Sequence, residues 1–142
     1  MLKVVVDTNQ FVSALISKKG PSAHLLDLWR EQYFILVTSP EIIAEIKKVL
    51  EYPHICKKYK LTKADIQSLL ILIEHEAVVC SPLATVHIIK DDPDDDKFLA
   101  CALAAKAEYI ISGDGHLLSL GSYGAISIVT VKDFLEILLH KK

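Results

Sequence analysis

The stretch LKVVVDTN, residues 2–9, decides how this chain folds. Residues 2–6 form a short run rich in β-branched side chains, and the run ends at Asp7. An apolar run without polar alternation is typical of a parallel strand that is buried on both faces. The stretch therefore predicts a buried strand whose carboxyl end carries Asp7.

Similar runs recur along the chain and alternate with helical patterns. The further predicted strands are Phe34–Val37, Ala77–Cys80, Tyr109–Ser112 and Ile126–Val129. After a first helix near Phe11, the predicted helices cover residues 21–32, 40–51, 63–76, 94–107 and 130–140, with Ser39 and Thr62 as N-caps and Pro53 as a stop. Because strands that alternate with helices imply parallel crossovers, we expect an α/β domain of three layers, α/β/α, around a parallel sheet.

Length and composition fit one compact domain over residues 1–142. The chain has 51% apolar and 24% charged residues, and it contains no glycine-rich linker or internal repeat. Cys56, Cys80 and Cys101 are far apart and odd in number, which is typical of reduced thiols in a cytosolic protein. The N-terminal residues do not resemble a secretion signal. We therefore expect a cytoplasmic protein that does not enter a membrane.

The formal net charge of −2 means that any attraction to nucleic acid must be local. Lysines that could provide it are Lys18, Lys19, Lys47, Lys48, Lys57, Lys58 and Lys60. Each of them could equally belong to a solvated surface. The charge pattern leaves both interpretations open.

Acidic residues lie at the ends of predicted strands and at the start of a predicted helix, all at one predicted edge of the sheet. Asp7 follows the first strand, and Asp114 follows the strand Tyr109–Ser112 within Ser112-Gly113-Asp114-Gly115. The acidic run of residues 91–96 begins the helix that leads into that same strand. Ligands of open parallel sheets bind beyond the carboxyl ends of the strands, so these acids are candidates for a shared site. Each could separately be a helix cap or a turn residue.

Carboxylates that converge repel one another unless a cation lies among them. Oxygen ligands favour Mg²⁺, with Mn²⁺ as the alternative, and none of the six histidines has the spacing of zinc ligands. Such a cation activates a bound water and neutralises a scissile phosphate, so the protein needs no nucleophilic side chain. The acids therefore indicate metal-dependent hydrolysis of a phosphodiester.

Four motifs in this order resemble the PIN-domain family. They are Val4-Val5-Val6-Asp7-Thr8-Asn9, the segment Glu41 to Glu45, Asp92 to Leu99, and Ile111-Ser112-Gly113-Asp114. The subgroup that the chain most resembles comprises toxin components of toxin–antitoxin systems. The resemblance implies the strand order 3-2-1-4-5, metal-dependent endonuclease activity on RNA, here single-stranded RNA, and a dimer bound by an antitoxin protein.

The resemblance also assigns roles by position. It makes Asp7 and Asp114 metal ligands, Asn9 a hydrogen-bonding group behind the metal, and Glu45 a helix-borne acid that supports the metal or the water. Ser112 stands where many relatives have threonine, and the hydroxyl is retained.

The third metal-site acid is open between two neighbours. The subgroup usually has Asp-Asn-Lys where this chain has Asp95-Asp96-Lys97, which favours Asp95. Counting back from Asp114, as in other toxins of the family, favours Asp96. We carry both residues as catalytic and metal-binding candidates.

Two other classes of function compete with the ribonuclease. A haloacid-dehalogenase-like phosphatase also begins with strand-Asp, but it needs a second aspartate two residues later as general acid, and position 9 is Asn. The other alternative is a PIN module that binds RNA or protein without catalysis. No acid of the expected set is missing from the sequence, which favours the enzyme.

Overall fold

The computed structural model describes residues 1–81 and 96–140, which form a mixed α/β domain. The strands within these ranges are β1 Lys3–Val6, β2 Ile35–Thr38, β3 Val78–Val79, β4 Tyr109–Ile111, β5 Ser122–Tyr123 and β6 Ile126–Val129. The helices are α1 Thr8–Ile16, α2 Pro21–Arg30, α3 Pro40–Leu50, α4 Pro53–Tyr59, α5 Lys63–Glu76, α6 Asp96–Ala105, α7 Gly115–Leu120 and α8 Val131–His140. None of the described helices is long and apolar enough to cross a membrane.

The strands form a sheet in the order β3-β2-β1-β4-β6-β5. All neighbouring pairs from β3 to β6 are parallel, and Val5 of β1 pairs with Val37 on one side and Ile110 on the other. The two-residue strand β5 is antiparallel to β6 at the edge. Because β6 is the fifth predicted strand, the expected order 3-2-1-4-5 of the parallel strands is confirmed.

Strand β1 lies in the middle of the sheet and is covered on both faces. Val4, Val5 and Val6 alternate in direction, yet each is at most 1% exposed. Helix α6 packs on β1, β2 and β4, while α1 packs on α2 and α3. The strand is therefore buried on both faces, as its continuous apolar sequence predicted.

Two predicted helix starts have the expected capping bonds. Ser39 Oγ accepts a hydrogen bond from the backbone N–H of Ile42, and Pro40 occupies the first helical position of α3. Thr62 and Asp65 form a reciprocal capping box at the start of α5. Local side chains thus define where both helices begin.

Several boundaries differ from those predicted. Helix α1 begins at Thr8 rather than near Phe11, because Asp7 is its cap. Pro53 does end the pattern of α3, but it also opens α4, where proline at the first position costs no hydrogen bond. Helix α4, helix α7 and strand β5 were not predicted. They are short, so they carry too few residues for a periodic signal.

The core includes the last helix, α8, and the thiol of Cys101. Phe134 of α8 is fully buried, and its ring meets the rings of Phe34 and Tyr109 edge to face at 5.2 and 5.6 Å. Burial, with Cys80 nearby, raises the pKa of Cys101 to about 12. Cys101 is therefore a neutral thiol that acts as a small apolar side chain.

Candidate active site

Asp7 lies at the junction between β1 and α1, and 3% of the residue is exposed. Its backbone N–H donates to the carbonyl of Ile111 at 3.0 Å, which continues the pairing of β1 with β4. Its Oδ1 accepts from the backbone N–H of Gln10 at 3.2 Å. Asp7 is thus the N-cap of α1, as one interpretation of the sequence expected, and this role occupies one carboxylate oxygen.

Ser112 connects the acids of two strands. It is fully buried just after β4, and its Oγ donates a hydrogen bond to Oδ2 of Asp7. The same Oγ accepts from the backbone N–H of Asp114 at 2.9 Å. The hydroxyl therefore sets the position of Asp114 relative to Asp7.

Asp114 caps α7 and is more open to solvent than Asp7. Its Oδ1 accepts from the backbone N–H groups of His116 at 2.7 Å and Leu117 at 3.3 Å. Its side chain is 27% exposed, and both capping bonds use the same oxygen. The residue is accordingly a structural cap with a second carboxylate oxygen that those two bonds do not use.

Glu45 reaches the same edge from the middle of α3. Thr8 Oγ1, in the first turn of α1, donates to Oε1 of Glu45. The ammonium of Lys97, in the first turn of α6, forms an ion pair with Oε2. Both carboxylate oxygens of Glu45 are therefore held by side chains from two other helices.

The remaining candidates differ in how the structure describes them. Asp96 opens α6 next to Lys97 and is 7% exposed. Asn9 is an exposed residue of the first turn of α1. Asp95, like the rest of the acidic run before Asp96, lies outside the described residues. The choice between Asp95 and Asp96 therefore stays open.

Three hydrogen bonds, one ion pair and two peptide bonds connect these residues in one series near the carboxyl edge of the sheet. The order along the series is Asp114, Ser112, Asp7, Thr8, Glu45, Lys97 and Asp96. Its members come from α1, α3, α6 and the segments that directly follow β1 and β4. Ser112 thus links Asp7 to Asp114, while Glu45 contacts Thr8 and Lys97, the residues that directly follow Asp7 and Asp96.

Burial raises the pKa of Asp7 above its ordinary value, because the charged form loses hydration. Hydrogen bonds from Ser112 and from the backbone N–H of Gln10 lower that pKa in part. A nearby positive charge would favour the ionised form. The Asp7 carboxylate is therefore a group whose charge a bound cation would stabilise.

The donor atoms fit a hard divalent cation. Among residues 1–81 and 96–140, no group of three or more His, Cys, Asp or Glu side chains is placed to hold a metal ion together. Magnesium ions in proteins commonly bind one or two carboxylates and keep several waters, so a group of three is not required. Asp7, Asp96 and Asp114 offer oxygen donors, which suit such an ion.

Two residues of the series were not assigned roles from the sequence. Thr8 and Lys97 act by holding Glu45, and their partners are 37 and 52 positions away in the chain. Each directly follows a candidate acid, Asp7 or Asp96. That adjacency was the only available signal, since one sequence does not reveal long-range contacts.

Comparison with known proteins identifies similar sequences. A family model described as PIN domain matches residues 3–116, a range that includes all the candidate acids. An uncharacterized protein of Methanocaldococcus jannaschii is 34% identical over 143 residues, which cover 95% of this chain and 90% of that protein. The similarity thus extends over nearly the whole chain.

A solved structure supports the same fold. The PIN domain of RRP44 from T. brucei matches with a TM-score of 0.53 and 14% sequence identity. The match covers 97% of this chain and 82% of that domain. At this level of identity the likeness concerns the fold alone.

Proposed function

The chain belongs to the PIN-domain family, whose members are in general metal-dependent nucleases, and we propose that it is an endoribonuclease that hydrolyses RNA phosphodiester bonds. The proposed cofactor is Mg²⁺, with Mn²⁺ as a substitute. The family membership argues against the haloacid-dehalogenase-like phosphatase. The non-catalytic RNA-binding module remains the alternative that an activity measurement must exclude.

One observation carries the proposal. The buried carboxylate of Asp7 contacts Ser112, which fixes Asp114, and Asp7 is followed by Thr8, which holds Glu45. A buried carboxylate costs stability unless its charge is compensated. A fold that retains one at the carboxyl edge of its sheet has the arrangement expected of a cation-binding site.

The proposed roles follow from exposure and contacts. Asp7 and Asp114, with Asp96 or Asp95 as the third acid, would hold the cation. Glu45 is 31% exposed and orients the attacking water, while Lys97 holds Glu45 in place. Asn9 would hydrogen-bond behind the cation, and Ser112 positions Asp7 and Asp114. These side chains hold the cation and orient the water, and none of them has to act as a nucleophile.

The bound cation would supply a water of lowered pKa and positive charge beside the scissile phosphate. Asp7 contributes a carboxylate in a poorly hydrated environment, where its interaction with a positive charge is stronger than in water. Glu45 contributes a carboxylate whose two oxygens are both held, Oε1 by Thr8 and Oε2 by Lys97. The protein's part in catalysis is therefore preorganisation of negative charge.

A narrower role is part of the same proposal. The motif resemblance to toxin components supports a ribonuclease toxin in the cytoplasm, bound by an antitoxin protein and assembled as a homodimer. The proposed substrate is single-stranded RNA, whose backbone is accessible without unwinding. Copurification of the chain with the product of the neighbouring open reading frame would test the antitoxin.

Cleavage of labelled single-stranded RNA tests the proposed function. We expect cleavage by the full chain in Mg²⁺, none in EDTA, and a loss of at least about 100-fold in Asp7→Asn. Asp27→Asn is the matched control, because Asp27 is an exposed aspartate of α2 outside the series. Equal activity of Asp7→Asn and Asp27→Asn would refute the assignment.

The same assay separates the enzyme from the non-catalytic module. A folded protein that binds RNA, yet leaves a panel of unrelated single-stranded RNAs intact in both Mg²⁺ and Mn²⁺, would favour the module. Cleavage that persists in EDTA would contradict the metal-dependent mechanism.

A further inference from the structure

We propose that single-stranded RNA binds to a lysine-rich surface formed by the end of α3 and by α4. This basic surface comprises Lys47, Lys48, Tyr52, Lys57, Lys58, Tyr59 and Lys60. The inference deepens the proposed function, on which it rests, by identifying where the substrate strand lies. Three observations support it: the local positive charge, the exposure of the lysines and the position of exposed tyrosine rings among them.

The local charge differs from that of the whole chain. Between Lys47 and Lys63 the sequence has six lysines and a single acidic residue, Glu51, whereas the chain as a whole has a formal net charge of −2. Every lysine of the basic surface is exposed. A phosphate backbone is attracted by such local concentrations of positive charge.

Within residues 1–81 and 96–140, no lysine of the basic surface forms an ion pair with a carboxylate. The pairs that are formed there, Lys97 with Glu45 and His116 with Asp114, involve other residues. Lysines that are engaged in ion pairs would have to exchange them for phosphates. The ammonium groups of the basic surface can therefore bind phosphates without first giving up an ion pair with the described residues.

Helix α4 contributes none of its residues to the buried core. It is nevertheless fixed to α3, because Cys56 Sγ donates to the carbonyl of Leu50 at 3.0 Å. The backbone N–H of Leu61 then donates to the carbonyl of Cys56 at 3.1 Å. Helix α4 is thus a solvent-facing element held in a defined position, which suits a binding surface better than a packing role.

Exposed aromatic rings lie among the lysines. Tyr52 is 37% exposed, and its ring stacks with that of His54 at 5.6 Å between centroids and 19° between planes. Tyr59 is 39% exposed, and the ammonium of Lys58 lies 5.3 Å from its ring centroid. Alternating rings and lysines are the features by which proteins hold single strands, through base stacking and phosphate contacts.

The basic surface adjoins the candidate active site along α3. Lys48 follows Glu45 by three residues, so the two side chains lie on neighbouring positions of one helix face. Leu50, the last residue of α3, follows Glu45 by five residues, about 8 Å along the helix axis, and Tyr52 lies two residues beyond it as the N-cap of α4. One strand can therefore contact the rings and reach the acids together.

RNA explains the basic surface better than an acidic protein segment does. Lysines alone would attract either partner. The exposed rings add a feature that unpaired bases use, because every base presents a face for stacking. We therefore assign the surface to RNA, and the acidic protein segment becomes an outcome of the test.

Binding can be measured without cleavage by fluorescence anisotropy in EDTA, with a labelled oligoadenylate of about 12 nucleotides. We expect Lys57→Gln/Lys58→Gln and Tyr52→Ala each to raise the Kd about tenfold. The double variant should also lower the slope of log Kd against log salt by about 0.7 for each phosphate that a lysine no longer neutralises. Tyr52→Phe should bind as the wild type does, because it keeps the ring.

Lys18→Gln/Lys19→Gln is the matched control, since it removes the same charge from two adjacent exposed lysines after the far end of α1. Equal Kd values for the two double variants would overturn the inference. So would competition by polyglutamate as effective as that by unlabelled oligoadenylate of equal charge.

The binding experiment and the cleavage assay test the two proposals independently. Anisotropy in EDTA reports on the basic surface, whereas cleavage and its loss in Asp7→Asn report on the acids. Normal cleavage with unchanged binding in Lys57→Gln/Lys58→Gln would overturn the basic surface alone. Absence of cleavage with the expected binding losses would overturn the nuclease and leave an RNA-binding surface.

Discussion

Ser112 is a buried hydroxyl with two bonds, one to the side chain of Asp7 and one from the backbone of Asp114. We expect Ser112→Ala to lower the free energy of unfolding by about 1 to 3 kcal/mol, because two buried polar groups lose a partner. RNA cleavage should fall as well, since Asp114 loses its fixed position. Urea unfolding and the cleavage assay measure both effects.

Ser112→Thr is the control for this residue, because it keeps the hydroxyl and adds one methyl group. If Ser112→Ala cleaves RNA as fast as the wild type does, the hydroxyl is not what positions the acids, because the alanine variant lacks only that group.

Lys97 places a positive charge among the acids through its ion pair with Glu45. Removing this charge in Lys97→Met should raise the affinity for Mg²⁺ several-fold, because like charges repel. The cleavage rate should nevertheless fall, since Glu45 loses the group that holds Oε2. Magnesium titration and single-turnover cleavage would show opposite changes.

Lys19→Met is the control for Lys97→Met, since Lys19 is exposed and lies three residues beyond the end of α1 that is remote from Asp7. Reduced affinity for Mg²⁺ in Lys97→Met would contradict the position that we give to the ammonium group.

Single residues were predictable where their position in an element determines their role. Asp7 and Asp114 follow strands whose carboxyl ends meet at one edge, so the sequence identified both as candidates. Thr8 and Lys97 were not assigned because their role depends on Glu45, which a separate helix brings to them. Adjacency in sequence does not reveal such contacts.

The capping box of α5 gives the fold a specific pH dependence. Hydrogen bonds from the backbone and side chain of Thr62 lower the pKa of Asp65. A carboxyl with a lowered folded-state pKa stabilises the fold above its unfolded pKa, and the contribution is lost as the pH falls through the folded value. The stabilisation of the wild type relative to Asp65→Asn should therefore be present above about pH 4 and vanish below it.

Thermal melting of the wild type and Asp65→Asn across pH measures this difference, with Asp133→Asn as an exposed first-turn aspartate for comparison. Thr62→Ala should lower the free energy of unfolding by about 1 kcal/mol at neutral pH through loss of the N-cap. A difference between wild type and Asp65→Asn that grows below pH 4 would have the wrong sign.

Elements were predictable where apolar periodicity or a cap extends over several turns. Helices α3 and α5 have both, and their starts at Pro40 and Lys63 agree with the sequence. The helix α4 has a proline start but no buried stripe, so Pro53 was interpreted only as a stop. The hairpin of β5 and β6 turns at Gly124, which has a positive φ. Because β5 has only two residues, no alternating strand pattern precedes this turn, and the hairpin was not predicted from the sequence.

The whole sheet determines which acids can meet. The parallel strands β1 and β4 are neighbours, so their carboxyl ends, with Asp7 and Asp114, lie at the same edge. Alternation of strands and helices predicted the parallel sheet, and the family resemblance supplied its strand order. The approach of Glu45 depends on how α3 packs on α1, which side-chain packing decides and periodicity does not describe.

The acids and the basic surface together divide the molecule by charge. The series of acids would bind a cation at the sheet edge, and the lysines after Glu45 lie where a polyanion could continue along α3. The formal net charge of −2 does not reveal this division, because it sums the acids and lysines of the whole chain. The distribution of charge over elements is therefore more informative than its sum.

Thermal melting of the metal-free protein with added Mg²⁺ tests the central claim most directly, because an ion that binds only the folded state raises its stability. We expect the Tm of the wild type and of Asp27→Asn to rise with Mg²⁺ concentration, and the Tm of Asp7→Asn to stay constant. A wild-type Tm that does not respond to either Mg²⁺ or Mn²⁺, or an equal rise in Asp7→Asn, would contradict the account.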